Sequence, residues 1–487
     1  MAPSAVVRRG TAPGRHVYDV IVIGGQLSGV LATALFAKRG LQVLHVPHDA
    51  LGEPYAHGEF KFAHAPFLVP PLKSVPAFDE ALQELGLGPV VGRAMQSVPL
   101  QLLEQDRWFE LSHDEKRRGP ELSRALGADA EAFDELVRKA QAAADASDSF
   151  FQAKPDLPPE GFFGRWKFKR QLSRYPGLEL DTPLPKDALL RRLLPFVANV
   201  EAPGPLTRAR VLGRTLAGPV LYQGGREGLW HQLAERAREL GADVLAGDEA
   251  VERIVLEGST AGVRLGRGDT TYRAGFLVAA MDLDVLTGLI PEKQRKAAAK
   301  VAPTVAAQKA CVTFNVVLPE RALPRGMGAL ALVDAPSLDG GVVLVQVLAG
   351  PTAEQRVLTA TVQAPIALRV GGEPAIRALA TQVHAALARV MPFTRPHVTF
   401  ESTPWIDSIQ VVDNRVEVHP LFQLPPQSWL GVAGLVTHSP WKRVMIASRQ
   451  VLPGLGFEGE VLAAQRAARL VETGLKKNDP LKKRTTA

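Results

Sequence analysis

Residues 20–46 constrain the fold of this chain more than any other segment. Four β-branched residues, Val20 to Ile23, lead directly into Gly24-Gly25 and then into an apolar run, residues 27–37, with small residues at helical spacing. A second short apolar run, residues 42–46, begins after Gly40. A membrane helix over residues 20–37 would leave that second run unexplained. The pattern therefore predicts a strand, a tight turn, a helix and a second strand, the unit from which doubly wound α/β folds are built.

The composition excludes the disordered and fibrous classes of protein. Of the 487 residues, 46% are hydrophobic and 22% are charged, and Lys plus Arg (57) only slightly outnumber Asp plus Glu (50). The one cysteine, Cys311, excludes an intrachain disulfide and a metal site built from several thiolates. A second long uncharged run, residues 418–441, contains four prolines, which would break a membrane helix. We therefore expect a cytoplasmic protein, and no metal site.

The turn after the first predicted strand has the composition of a dinucleotide site; it consists of Gly24, Gly25, Gln26, Leu27, Ser28 and Gly29. Glycines occur there because a pyrophosphate must approach the backbone amides at the positive end of the helix. Gln26 occupies the middle glycine position of the usual pattern, where a side chain crowds the pyrophosphate. Pro47 stands where an acidic residue would hold the ribose, so His48 and Asp49 become the candidates for that contact.

Three later segments extend this pattern. Residues 221–257 combine Gly224-Gly225 with an amphipathic helix and a strand that begins at Val251, and residues 262–285 contain two further strands. Residues 429–470 begin with a predicted strand, Trp429 to Gly434, and continue with a glycine-rich helix start at 453–459. In these blocks and their order, the sequence resembles the FAD-dependent phytoene desaturase and flavin amine oxidase superfamily, whose fold is similar to that of Rab GDP-dissociation inhibitors.

The resemblance implies an α/β fold, in which a Rossmann-like FAD-binding domain of the glutathione reductase type carries an inserted mixed α+β substrate domain. It also implies that FAD places its pyrophosphate on the glycine turn and its adenine against the backbone of Val251. The last helix would point its N-terminus at the flavin, where it would stabilise the negative charge of the reduced ring. The contacts implied in this last block are Gly434, Gly454, Leu455 and Gly456. No side chain is indicated as a catalytic acid or base.

Several positions depart from the family pattern, and all of them lie where FAD should bind. Besides Gln26 and Pro47, Glu53-Pro54 replaces a pair of glycines, and Leu435 follows Gly434 where an aspartate is common. Two interpretations follow. Either FAD is held in an altered way, with Lys442 or Arg443 pairing with its phosphates, or the fold no longer holds FAD.

The chain divides into five regions on this interpretation. They are a flexible lead (1–17), a split dinucleotide-binding domain (18–75, 205–300 and 425–475), a helical cap (76–204), a substrate-domain sheet and helix (301–424) and a basic tail (476–487). Within the first domain, residues 60–72 are apolar and broken by prolines, which suits either the entrance to an apolar substrate site or a buried loop.

Residues 161–175 interleave aromatic and basic side chains, with Phe162, Phe163, Trp166 and Phe168 among five Arg and Lys residues. Aromatic rings and cations at this density suit peripheral contact with a membrane, where the cations meet anionic headgroups. The alternative is a helix whose aromatic face packs on its own domain. We do not expect a nucleic-acid partner.

The function indicated by the sequence is that of an FAD-dependent oxidoreductase, of desaturase, dehydrogenase or isomerase type, acting on an apolar small molecule or lipid such as an isoprenoid. The rival function is that of a flavin-free binding protein on the same fold, which holds a lipid or a protein partner as the GDP-dissociation inhibitors do. Because one fold hosts many chemistries, the resemblance alone does not choose between them.

Overall fold

A computed structural model describes residues 16–49, 51–104, 107–175, 192–245, 250–258, 260–266, 270–298, 305–408, 411, 418–425 and 428–477. The predicted lead (1–17) and basic tail (476–487) lie almost entirely outside these residues.

The strands, numbered in chain order, are β1 (Val17–Ile23), β2 (Val43–Val46), β3 (Tyr55–His57), β4 (Phe60–Phe62), β5 (Met95–Ser97), β6 (Leu100–Leu103), β7 (Trp108–Leu111), β8 (Val220–Tyr222), β9 (Asp243–Val244), β10 (Val251–Glu257), β11 (Thr260–Leu265), β12 (Thr271–Ala279), β13 (Ala306–Pro319), β14 (Leu330–Asp334), β15 (Val342–Ala349), β16 (Gln355–Pro365), β17 (Phe400–Ser402), β18 (Pro420–Gln423) and β19 (Val444–Ile446).

The α-helices are α1 (Leu27–Lys38), α2 (Pro76–Leu85), α3 (Gly88–Ala94), α4 (Glu115–Leu126), α5 (Ala130–Ala146), α6 (Asp148–Gln152), α7 (Gly161–Leu172), α8 (Leu194–Val197), α9 (Gly213–Leu216), α10 (Gly225–Glu239), α11 (Leu283–Leu289), α12 (Glu292–Arg295), α13 (Gly372–Val390), α14 (Pro404–Asp407) and α15 (Gly456–Lys477). None of the described helices combines the length and the apolar character that a membrane crossing requires.

The first sheet has seven strands in the order β10-β11-β12-β1-β2-β9, with β19 paired to β12. β1 runs parallel to both β2 and β12, and β19 and β9 extend the parallel part on either side. Parallel strands are covered on both faces, which explains why all four residues from Val20 to Ile23 are fully buried. The predicted βαβ unit and the α/β fold class are confirmed.

Helix α1 lies in the interior of this domain, with every residue from Leu27 to Ala37 buried. It packs against α10 and against α15, near the other end of the chain. Gly29 permits the close approach of α1 to the sheet, because a Cβ at this position would lie 2.6 Å from the Cβ of Ala280.

The C-terminal strand of this sheet is not where the sequence indicated. Residues 429–431, predicted as the start of a strand, form a 3₁₀ turn, and Leu430 within that turn has a φ of +55°. The strand that pairs with β12 is β19, about a dozen residues later and only three residues long. Three residues carry too little periodicity to be recognised as a strand, whereas the longer apolar run before them does resemble one.

The second sheet has eight strands in the order β17-β13-β16-β15-β14-β6-β7, with β18 paired to β13. Its pairs are antiparallel except for β6 beside β14. Helix α13 packs against this sheet, as its buried residues Ile376 and Val383 belong to the same core cluster as the strands. The region 76–204 is therefore not only helical, because β6 and β7 lie within it and complete the second sheet.

We predict that Gly29→Ala lowers the free energy of unfolding by about 1–3 kcal/mol, because its Cβ would overlap that of Ala280 in a fully packed interface. Urea unfolding followed by circular dichroism measures this change. Gly288→Ala in α11 is the matched control, since no atom lies within 4 Å of the added Cβ, and we expect it to be neutral or stabilising by up to about 1 kcal/mol. Equal effects of the two substitutions would contradict the packing role of Gly29.

Candidate functional site

The glycine turn lies at the carboxyl edge of the first sheet, between β1 and α1. Gly24 has a φ of +110°, and a Cβ there would lie 2.1 Å from the backbone oxygen of Ala280, directly after β12. Its amide donates to the carbonyl of Val46, the last residue of β2, at 2.9 Å. The ends of β1, β2 and β12 therefore meet at this glycine, and this edge is where doubly wound sheets bind ligands.

A carboxylate of the chain itself lies on the turn. The amide of Gly25 donates to Oδ1 of Asp49 at 2.7 Å, and the amide of Leu51 donates to the same oxygen at 3.3 Å. The Asp49 side chain is buried, and burial raises its pKa to about 7. The sequence placed Asp49 near a ribose, whereas the structure places its carboxylate on the amide that a pyrophosphate would use.

Gln26, at the middle position of the turn, also points into the site rather than out to solvent. Its Nε2 donates to Oδ1 of Asp282 at 2.9 Å, and its Oε1 accepts from the backbone amide of Arg449 at 2.8 Å. The residue is 1% exposed. The side chain that crowds the pyrophosphate position is thus fixed at both ends of its amide group.

Asp282 and Arg449 form a buried ion pair beside Gln26. Nε of Arg449 donates to Oδ1 of Asp282 at 3.0 Å, and Nη2 donates to Oδ2 at 2.6 Å. Nη1 donates to the carbonyl of Val418 at 2.7 Å. Asp282 follows β12 and Arg449 follows β19, so the pair closes the same edge of the sheet as the glycine turn.

The backbone amide of Val251, implied as the adenine contact, is also occupied. It donates to Nδ1 of His48 at 3.1 Å. His48 adopts a φ of +60°, which turns its ring back toward β10, and burial lowers the pKa of that ring. The lowered pKa favours the neutral imidazole, and only the neutral ring can accept this hydrogen bond at Nδ1.

The start of α15, implied as the flavin contact, is covered by other parts of the chain. A Cβ on Gly456 would lie 2.0 Å from the carbonyl oxygen of Val197, and one on Gly454 would lie 2.6 Å from Cα of Val432. Leu455 is buried as well. In the first turn of the helix, Glu458 forms a two-pronged ion pair with Arg210, at 2.6 and 2.7 Å. An internal carboxylate therefore already occupies the positive end of this helix.

Gly434 and Arg443 both have internal contacts. The amide of Gly434 donates to the carbonyl of Val451 at 3.0 Å, so Gly434 packs on the segment that precedes α15. The guanidinium of Arg443 lies over the ring of Phe276, in the middle of β12, at 4.7 Å. The pairing of Lys442 or Arg443 with a phosphate stays a prediction.

A cavity of about 50 Å³ lies beside Arg449 and the start of α15. Its walls include Phe67 and Leu68 from the apolar segment 60–72, Phe457 from α15, and the charged side chains of Arg226 and Arg449. Sites for ligands of cofactor size have volumes of about 300–1,000 Å³.

In the arrangement that the structure shows, these residues do not fit FAD. The amides of Gly25 and Val251 both have internal partners, and the Gln26 side chain fills the centre of the turn. One observation points the other way. The hydroxyl of Ser28, in the first turn of α1, is buried and has no hydrogen-bond partner among the described residues, which suits an anion oxygen at the helix N-terminus. FAD could enter only if Asp49 and Gln26 moved.

Asp282 and Arg449 were not predicted as site residues from the sequence. Asp282 was visible as the end of an apolar strand, where polar residues often face a ligand, but nothing in the sequence indicated its partner. Arg449 was hidden because the strand before it was assigned to residues 429–434.

We predict that Asp49→Asn stabilises the protein at neutral and higher pH. Because the pKa of Asp49 is raised in the folded state, its contribution makes wild-type stability fall as the pH rises from about 4 to about 7. Asn keeps the oxygen acceptor but cannot ionise, so we expect a gain of about 1–4 kcal/mol at pH 8 and no difference near pH 4. Urea unfolding of both proteins across this pH range measures the difference in their free energies of unfolding. A loss of stability at pH 8 would show that the turn amides favour the charged carboxylate.

We predict that Arg449→Met destabilises the fold by about 3–5 kcal/mol, because Asp282 would be left as a buried charge without its partner. Lys139→Met is the control, since it breaks an exposed ion pair with Glu135 and should cost less than about 1 kcal/mol. Thermal and urea unfolding compare the two. Similar small effects would contradict the role of this ion pair in holding the sheet edge.

No family model matches the sequence, and no curated protein does. Among solved structures, the chain is similar to an oxidoreductase from Methanosarcina mazei (13% identity, 93% of this chain and 100% of that one, TM-score 0.59). It is also similar to cyclohexylamine oxidase from Brevibacterium oxydans (16% identity, 94% and 99%, TM-score 0.54) and to a putrescine oxidase solved with putrescine bound (15% identity, 94% and 99%, TM-score 0.57). Across nearly its whole length, this chain therefore has the fold of the FAD/NAD(P)-binding oxidoreductases.

Proposed function

We propose that this protein is an FAD-dependent oxidoreductase, of desaturase, dehydrogenase or isomerase type, that acts on an apolar substrate such as an isoprenoid. The similarity to amine oxidases and other oxidoreductases over 93–94% of the chain supports the general class. The observation that carries the proposal is the glycine turn. Its Gly25 amide donates to an oxygen acceptor, Oδ1 of Asp49, in the place where a pyrophosphate oxygen would accept.

On this proposal, FAD enters by displacing Asp49 and Gln26. The displacement breaks four hydrogen bonds, at about 0.5–1.5 kcal/mol each, so it costs about 2–6 kcal/mol. A dinucleotide held with micromolar affinity gains about 8 kcal/mol. The internal contacts would therefore weaken FAD binding, and the amide of Gly25 would be available to a phosphate oxygen once Asp49 had moved.

Four bulky members of the cavity wall support an apolar substrate. Phe67, Leu68, Phe196 and Phe457 line the cavity together with polar side chains that include Arg226, Arg449 and Glu460. The charged groups at its edge are paired, Arg226 with Glu460 and Arg449 with Asp282. An apolar group of a substrate would lie against the four bulky side chains, beside charges that are already paired within the chain.

A second candidate function is a flavin-free binding protein on the same fold. It is favoured by a specific observation, namely that the amides implied for the pyrophosphate and the adenine, and the start of α15, all have partners from the chain itself. Such a protein would keep its folded core without a cofactor and would use the remaining surface for a lipid or a protein.

The two candidates differ in the visible spectrum of the purified protein, recorded before and after incubation with excess FAD and removal of free ligand. Flavin absorption close to one FAD per chain supports the oxidoreductase. A colourless protein that does not retain added FAD supports the binding protein.

We predict that the double variant Gln26→Gly/Asp49→Ala binds FAD at least about tenfold more tightly than the wild type, because it removes the internal occupants and frees the amide of Gly25. Quenching of flavin fluorescence during titration measures the affinity. Asp49→Asn is the matched control, as it retains the internal acceptor and should bring no comparable gain. If neither wild type nor double variant binds FAD, the oxidoreductase proposal fails.

A further inference from the structure

Helix α7 carries large apolar side chains that the rest of the chain does not cover. Phe162, Phe163 and Trp166 are 79%, 80% and 57% exposed. They make up three of the seven exposed large apolar side chains among the described residues, and they lie within five consecutive positions. Isolated exposed apolar residues are ordinary, but a contiguous group of aromatic rings indicates a contact surface.

The same helix is strongly basic. Five cations lie on it or just after it, and all are exposed: Arg165, Lys167, Lys169, Arg170 and Arg174. The sequence from 161 to 175 contains no acidic residue. Among the described residues, the one ion pair of these cations joins Lys167 to Asp156 at 3.5 Å, between two exposed side chains. Most of this positive charge is therefore available to an external anion.

The geometry of the helix separates an inner face from an outer face. Phe168 is the buried member, and its ring packs against those of Phe150 and Trp429, with centroids 6.0 and 5.3 Å away. With about 3.6 residues per turn, Phe162 and Trp166 lie on the side opposite Phe168, and the cations lie on both sides of them. The prediction that the aromatic face packs on its own domain therefore holds for Phe168 alone.

The arrangement of the rings favours a membrane over a nucleic acid. The centroids of the Phe162 and Phe163 rings lie 5.7 Å apart and the rings are inclined at 83°, so the edge of one meets the face of the other. Arg170 lies over the ring of Trp166 at 5.9 Å. Bases stack on open ring faces along a groove, whereas here the rings form one compact apolar cluster on a convex helix. Such a cluster with flanking cations suits the interface of an anionic bilayer.

We propose that α7 docks this protein on an anionic lipid surface, with Phe162, Phe163 and Trp166 among the headgroups and the flanking cations paired to lipid phosphates. The proposal is independent of flavin binding.

The docked helix would also orient the molecule. Glu160, just before α7, accepts hydrogen bonds from Nη2 of Arg466 at 3.0 Å and pairs with the ring of His438 at 2.7 Å, which ties the helix to α15. Docking through α7 would therefore fix the orientation of α15 relative to the lipid surface.

Flotation of the full chain with vesicles tests the docking surface. The probes are vesicles of phosphatidylcholine alone and of phosphatidylcholine with phosphatidylglycerol. We expect the wild type to bind the anionic vesicles, and Phe162→Ser/Phe163→Ser/Trp166→Ser to lower the fraction bound at least tenfold. Phe393→Ser is the matched control, since Phe393 is 81% exposed but lies outside α7. The unfolding midpoints of all variants, measured in parallel, should equal that of the wild type.

A charge-reversal variant tests the contribution of the cations separately from that of the aromatic rings. We expect Arg165→Glu/Lys169→Glu to weaken binding to anionic vesicles several-fold, and added salt to weaken wild-type binding in the same direction. The proposal is overturned if the wild type binds neither kind of vesicle, or if the triple serine variant binds the anionic vesicles as well as the wild type does. Binding to a single-stranded oligonucleotide without vesicle binding would overturn it in favour of a nucleic-acid partner.

Discussion

The buried ion pair between Asp282 and Arg449 fixes the edge of the first sheet on which the site depends. A charge in a protein interior is tolerated only when a partner and hydrogen bonds compensate it, and here both carboxylate oxygens receive donors from Arg449, with Gln26 adding a third. These residues come from the turn after β1, the end of β12 and the segment after β19. Any shift of one strand end would leave a polar group unpaired, so the pair holds three distant parts of the chain in one arrangement.

The same edge shows how a fold that is typical of cofactor-binding proteins can provide hydrogen-bond acceptors for its own backbone amides. Backbone amides at a helix N-terminus need an acceptor, and a side-chain carboxylate or a phosphate can provide it. In this chain Asp49 accepts from the amide of Gly25 and His48 accepts from that of Val251, at two places where the family resemblance implies contacts with FAD. At a third, the start of α15, Glu458 accepts from the side chain of Arg210. The fold is thereby stable in a closed form, and any dinucleotide has to compete with side chains that are present at a high effective concentration.

Much of the first domain could be predicted from sequence, because it rests on local signals. The β-branched run, the glycine turn and the short second strand can each be recognised from a few consecutive residues. The structure explains the glycines at 24 and 29, because a Cβ at either position would overlap neighbouring atoms. The closed state of the site could not be predicted. Gln26 was recognised as crowding the pyrophosphate, but its partners lie 256 and 423 residues away in the chain. The strand β19 was missed because three residues are too few to show a period.

The position of α15 has a consequence for how the protein is made. β1 and α1 are the first two described elements, yet α1 is buried against a helix that ends at residue 477, and Arg39 pairs with Glu472. During synthesis, the face of α1 that packs against α15 therefore stays uncovered until that helix has been made. Exposed apolar surface on a nascent chain favours aggregation, so we expect folding of this domain to be completed only once α15 has emerged from the ribosome.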